Sequence, residues 1–290
     1  MILFSLIFSL VVIFCIVLGV AFITLYERHI LSLSQNRVGP SKVGILGGLQ
    51  AGLDGVKLLT KEQVLPSHSS DIYFLLVPGV CFVFMFLEWL VIPFNFFFLN
   101  MQFSFLFFLC LVGFSVYFTI VSGLMSNSKF SFIGALRASS QSVSFEVSLS
   151  IFMIIFFFLS GGLNLLSSFN VSVYWGGYIM VLMILAELNR APFDFSEGES
   201  ELVSGFNTEH SSVSFVFLFL GEYGVLIFFS VLGASLFFFQ CLLGIFFFFS
   251  LLLLIRSVYP RYRYDMLMQV FWKKVLPFSI FLFFFFFVIF

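Results

Sequence analysis

Long uncharged apolar blocks, separated by short polar segments, set the pattern of this chain. About 20 apolar residues in a helix cross the ~30 Å hydrocarbon layer of a bilayer. On that measure the sequence predicts eight spans, near 2–26, 72–98, 103–125, 143–163, 171–190, 213–233, 236–256 and 275–290. The sixth and seventh come from one run, 213–255, broken only by Glu222 and Gln240. As a single helix it would be about 65 Å long, twice the bilayer, so a turn is expected near Gly233-Ala234-Ser235. The fold class predicted is an all-α membrane protein, with residues 1–290 forming one polytopic domain.

One polar stretch has its own period. If 44–62 is helical, Gln50, Asp54, Lys57 and Lys61 form a narrow polar stripe, and Ile45, Leu49, Val56 and Leu59 lie opposite. That pattern fits an amphipathic helix lying in the interface plane. An ordinary surface helix is the competing reading. Its glycines Gly47, Gly48, Gly52 and Gly55 suggest close packing against another backbone.

Charge orients the bundle. The connections between spans 1–2, 3–4, 5–6 and 7–8 hold five, two, one and five Lys/Arg, all thirteen in the chain. The other three connections hold none, so the basic loops share one face, with both termini and residues 93–102, 163–170 and 233–236 on the other. The 187–211 loop is the exception on the basic face, with six carboxylates and one arginine. It reads as an internal partner for the cationic loops, or as a solvated acidic loop. Pro192, Gly198 and Gly205 among Phe193, Phe195 and Phe206 favour a folded turn.

Composition excludes soluble classes. With 61% hydrophobic and 9% charged residues, only lipid solvates the surface. The 50 Phe exceed any packing need and indicate codon bias of the kind found in organellar genomes. Cys15, Cys81, Cys110 and Cys241 lie inside apolar segments without a CxxC, as small hydrophobes. His29, His68 and His210 lie in polar loops, where they cannot serve as axial haem ligands on a helix. No metal site, P-loop, dinucleotide fingerprint, cleavable signal or transit peptide is read, and no nucleic-acid partner is expected.

The carboxylates inside the spans carry the chemistry. Glu88, Glu146 and Glu222 interrupt apolar helices, and Glu187 ends the fifth. An ionised group in hydrocarbon costs several kcal/mol, so such residues face a cavity, a partner or a proton path. A neutral packing role is the alternative, and Glu88 near its helix end is expected to stand apart in that role. A secondary ion transporter or channel would use the same glutamates, although no inverted repeat is visible.

Several motifs resemble the subunit 1 family of respiratory NADH:ubiquinone oxidoreductase, complex I. They include Tyr26-Glu27-Arg28-His29, Gln35-Asn36-Arg37-Val38-Gly39-Pro40, Asp54-Gly55-Val56-Lys57, and Ala135-Leu136-Arg137-Ala138 with Gln141 and Glu146. The longest runs from Ala186 through Glu187-Leu188-Asn189-Arg190-Ala191-Pro192-Phe193-Asp194 and on from Glu197 to Asn207. Glu209-His210 departs from the pattern, where an aromatic is expected after the acid. Length and bias are similar to mitochondrially encoded, nematode-like versions.

The resemblance implies a core membrane subunit of the mitochondrial inner membrane, its basic loops facing the matrix. That subunit would form the chamber through which ubiquinone, a substrate, enters, and would couple its reduction to proton translocation. It implies Arg28, Arg37, Lys57, Arg137, Arg190, Phe193, Asp194 and Phe206 around the chamber. Glu146, Glu187, Asp194, Glu197, Glu199, Glu201 and Glu222 would form the coupling path. The chain would not be catalytic alone. Flavin and iron–sulfur clusters are implied on partner subunits, with further complex I subunits and lipids as neighbours.

Overall fold

The computed structural model describes residues 2–92, 103–160, 176–195, 198, 205–238 and 241–289. Ten α-helices occur among them: α1 Ile2–Ser34, α2 Gln50–Thr60, α3 Asp71–Trp89, α4 Ser104–Met125, α5 Lys129–Ser160, α6 Gly177–Glu187, α7 Ser212–Phe237, α8 Leu242–Val258, α9 Tyr264–Val270 and α10 Leu276–Ile289. Six described helices are long and apolar enough to cross a membrane, α9 and α10 counting as one, and α6 and α8 are shorter apolar helices. All backbone polar groups of such helices pair internally, as hydrocarbon requires. α7 occupies the centre, packing against α1, α2, α3 and α8, while α4 bridges α3 and α5, and α5 meets α6 and α10.

Several boundaries differ from the hydropathy reading. α5 begins at Lys129, well before 143, because its first turns are polar by composition yet inward-facing. Ser131, Ala135, Ala138 and Gln141 are buried there, and a Cβ on Gly123 of α4 would come within 2.3 Å of the Ala135 Cβ. α1 continues past Tyr26 to Ser34. The last apolar helix starts at Tyr264 instead of 275, running through a π-helical stretch at Phe271–Val275. Leu267, Phe271 and Val275 are buried at helical spacing, so Lys273 and Lys274 stay outside without breaking it.

A further difference is the turn between the sixth and seventh spans. Residues 233–235 are helical: α7 runs on to Phe237 and α8 starts at Leu242, with the Cys241 N–H donating to the Phe238 carbonyl at 3.1 Å. The small residues serve packing instead. A Cβ on Gly233 would meet the Phe248 ring of α8 at 2.5 Å, so glycine is what lets the two helices approach. α3 ends at Trp89, with a turn over 90–92, short of the end at 98 read for the second span. The predicted loops 93–102 and 163–170 lie outside the described residues.

The amphipathic helix spans Gln50–Thr60 and not 44–62; before it, Ile45–Gly47 form a 3-10 turn. Gly44 and Gly47 take φ of 73° and 72°, a region that favours glycine. Only Gly47 makes the anticipated close backbone approach: a Cβ there would lie 2.1 Å from the Pro40 carbonyl oxygen. Gly52 and Gly55 face open space. None of the α2 residues is fully buried, and Leu53, Val56 and Leu59 are exposed, as suits an apolar face laid on lipid. The far end of α2 is clamped to the start of α7. Ser212 Oγ donates to the Lys61 carbonyl at 2.7 Å, Gln63 Nε2 donates to Ser214 Oγ at 3.0 Å, and Gln63 Oε1 accepts from the Val213 N–H at 3.1 Å.

Candidate functional site

Two polar constellations sit between the helices. The first centres on Glu27, which is 3% exposed. Glu27 follows Ile16 and Val20, both buried, at helical spacing, so the extension of α1 carries it inward. Its Oε1 pairs with Arg256 of α8 and, at 3.3 Å, with Nη1 of Arg190. Its Oε2 accepts from the Tyr223 hydroxyl of α7 at 2.7 Å. The Arg190 guanidinium also lies over the Tyr223 ring, 4.3 Å from its centre. One carboxylate thus joins α1, α7, α8 and the loop after α6. Charge-assisted bonds of this kind are the strong ones.

The second is a cavity with about 110 Å³ of room for water, among α3, α4, α7 and the end of α6. Glu88, Glu187 and Glu222 line it from α3, α6 and α7, with Arg190 and Phe206 also on its wall. One carboxylate oxygen each of Glu88 and Glu187 is buried without a hydrogen-bond partner. A cavity of this size holds several waters where polar partners line it.

This placement differs from the sequence expectation in two ways. Glu88, which position in the chain set apart, belongs to the cavity. Glu146 does not line it. It packs against α4, where a Cβ on Gly113 would lie 2.8 Å from its Oε1, and remains close enough to Glu187 for their charges to interact.

The loop after α6 is folded onto the helices. Gln141 of α5, with no exposed surface, donates to the carbonyls of Ala186 and Phe193, each at 3.0 Å. Phe193 packs against Tyr262 and Phe271, with ring centres 5.6 and 5.9 Å away. Asp194 pairs with Arg261 at 3.3 Å, and the Tyr262 N–H donates to the Pro192 carbonyl at 3.0 Å. A Cβ on Gly134 would come within 2.9 Å of Gly205 Cα, so α5 also abuts the far end of the loop. The acidic loop therefore meets the basic connection after α8 directly. Glu197, Glu199 and Glu201 lie outside the described residues.

The other cations named from the sequence are spread more widely. Arg28 pairs with Asp54 of α2 at 2.6 Å on the surface, pinning α2 to α1. Arg37 and Lys57 are exposed, and Arg137 is half-buried on α5. His210, at the unexpected position after Glu209, is buried and stacks on Phe74 with ring centres 4.3 Å apart. Burial lowers its pKa to about 4, and neither ring nitrogen has a hydrogen-bond partner. A neutral imidazole here fills the place of an aromatic ring. Among the described residues no group of three or more His, Cys, Asp or Glu could hold a metal ion.

Sequence reasoning passed over Glu27, Tyr223, Arg256 and Gln141 as site residues. For Glu27 a signal existed in its spacing from Ile16 and Val20. For the others, only the packing of distant helices shows the role.

A model of the NADH dehydrogenase family matches residues 7–287. A protein of Aedes aegypti named NADH-ubiquinone oxidoreductase chain 1 is 42% identical, the match covering 98% of this chain and 95% of the relative. Proteins of the same name from Branchiostoma lanceolatum and Locusta migratoria are 41% and 39% identical. Those matches cover 91% and 95% of this chain, and 89% and 93% of the relatives.

Proposed function

Because the chain belongs to the NADH dehydrogenase family and is a membrane subunit of NADH:ubiquinone oxidoreductase, we propose that it forms the chamber receiving ubiquinone and the first carboxylates of the path coupling quinone reduction to proton translocation. The protein is a multi-pass mitochondrial membrane protein. The proposal adds that it resides in the inner membrane with its basic loops toward the matrix, where peripheral subunits carrying flavin and iron–sulfur clusters dock. Family membership displaces the transporter or channel reading.

The observation that carries this reading is the cavity shared by Glu88, Glu187 and Glu222, touching Arg190 and Phe206 of the acidic loop. Carboxylates from three helices facing one polar space can exchange protons with water and respond to one another's charge. The loop at its edge is held by Gln141, Arg261 and Glu27, so a change at the quinone side is transmitted to the carboxylates through direct side-chain contacts. In this reading Arg190 has two duties. It anchors the loop to Glu27, and it places a fixed positive charge on the cavity wall.

The test is replacement in the assembled complex. Glu187→Gln and Glu222→Gln keep shape and hydrogen-bonding capacity but end proton exchange at those positions. Both should leave NADH oxidation by an artificial electron acceptor intact and abolish most coupled ubiquinone reductase activity. Wild-type turnover and proton pumping in both variants would make these groups packing residues.

A further inference from the structure

One polar feature of the cavity belongs to none of the carboxylates. Ser115, Thr119 and Ser122 line it from α4. They follow at intervals of four and three residues on one helix face, and Ser126 continues the series four residues on. Each hydroxyl donates to a carbonyl of its own helix: Ser115 to Val112 at 2.7 Å, Thr119 to Val116 at 2.8 Å, Ser122 to Thr119 at 2.9 Å and Ser126 to Gly123 at 2.9 Å. The oxygen lone pairs of Ser115, Thr119 and Ser122 are available to accept from water in the cavity.

We propose that this hydroxyl ladder on α4 is a hydrated proton-access branch, by which the buried carboxylates exchange protons with the basic face, separately from the acidic loop. The inference rests on the carboxylate reading above and adds a route and residues to it.

The geometry supports it in three ways. Neighbouring rungs three or four residues apart lie roughly 5–6 Å from each other, a gap one water can bridge. From Ser115 to Ser126 the series climbs roughly 16 Å, about half the hydrocarbon thickness. It ends in the buried Ser126–Ser131 pair, with Ser128 Oγ donating to Ser131 Oγ at 2.9 Å, beside exposed Asn127 and Lys129. Back-bonded serines are ordinary in apolar helices. This face differs because the cavity lies in front of it, and because Glu88, only 5% exposed and with one carboxylate oxygen that has no hydrogen-bond partner, lines the same cavity. A proton entering at the Ser126 end displaces one from each water in turn. The last water hands its proton to a carboxylate, and the chain is reset when the waters and hydroxyls rotate back.

Thr119 offers the cleanest test, since valine matches its shape without the hydroxyl and serine keeps the hydroxyl without the methyl. The assembled complex is assayed for NADH:ubiquinone reductase rate, proton pumping and solvent deuterium isotope effect, with Glu187→Gln as comparator. Thr119→Val, and Thr119→Val with Ser122→Ala, should slow coupled turnover at least about fivefold and enlarge the isotope effect. The KM for quinone should not move, and Thr119→Ser should stay near wild type. Equal slowing in Thr119→Val and Thr119→Ser would mean packing and overturn the ladder. Wild-type rate and isotope effect in Thr119→Val beside an impaired Glu187→Gln would overturn the ladder and leave the carboxylate path standing. Wild-type behaviour in both would overturn both.

Discussion

Replacing Glu27 tests how the buried ion cluster holds the loop. Its side chain is 4% exposed and pairs with Arg190, 15% exposed, and Arg256, 32% exposed. Glu27→Gln removes the charge both guanidiniums share, while the amide can still accept from Tyr223. Breaking a buried pair by removing one partner costs about 3–5 kcal/mol, mostly from the charge left behind. Arg256→Gln leaves the Glu27–Arg190 pair intact and removes a partly solvated group, so it should cost about 1 kcal/mol. Arg190→Gln falls between, because it loses the ion pair and the contact with the Tyr223 ring. The assay is the heat-inactivation midpoint of quinone reductase in membranes, together with the fraction of complex assembled. The expected severity is Glu27→Gln, then Arg190→Gln, then Arg256→Gln. The double variant Glu27→Gln/Arg256→Gln should cost less than the two single losses added, since the arginines no longer face each other without a carboxylate. If Glu27→Gln proves no worse than Arg256→Gln, the carboxylate is not the centre of the cluster and the argument fails.

Two further outcomes follow from the loop and its surroundings. Gln141→Leu keeps the volume but leaves the Ala186 and Phe193 carbonyls without their donor, costing about 1–3 kcal/mol. Limited proteolysis should then cleave near 187–195 faster than in wild type, and unchanged protection would deny Gln141 its anchoring role. His210→Phe should retain the stack on Phe74 and remove two buried nitrogens without partners. Because burial lowers the His210 pKa from 6.5 to about 4, the unfolded chain takes up a proton that the folded chain refuses as pH falls through that window. Wild-type stability therefore declines relative to the variant between pH 6.5 and 4, and no further below it. Parallel heat-inactivation curves for the two proteins from pH 7 to 5 would contradict the burial argument.

Much of this protein is written in the order of its residues. That the chain is built of apolar helices follows from transfer free energies that each residue contributes locally, so a sum along the chain suffices. The motif from Ala186 to Asp194 was visible for the same reason, being contiguous. Helix ends were less visible, because a serine-rich turn such as the start of α5 scores as polar until Gly123 and Ala135 are known to meet. The same holds for Gly233, which looks like a turn in sequence and is a contact surface for Phe248 in space. The site needed the fold altogether. Glu27 and Arg256 lie at opposite ends of the chain, and Glu88 joins Glu187 and Glu222 only because α3 packs on α7. Hydropathy places each helix in the bilayer independently. Which carboxylate faces which arginine depends on how helix faces interlock, and that is a property of pairs of helices that no single segment encodes.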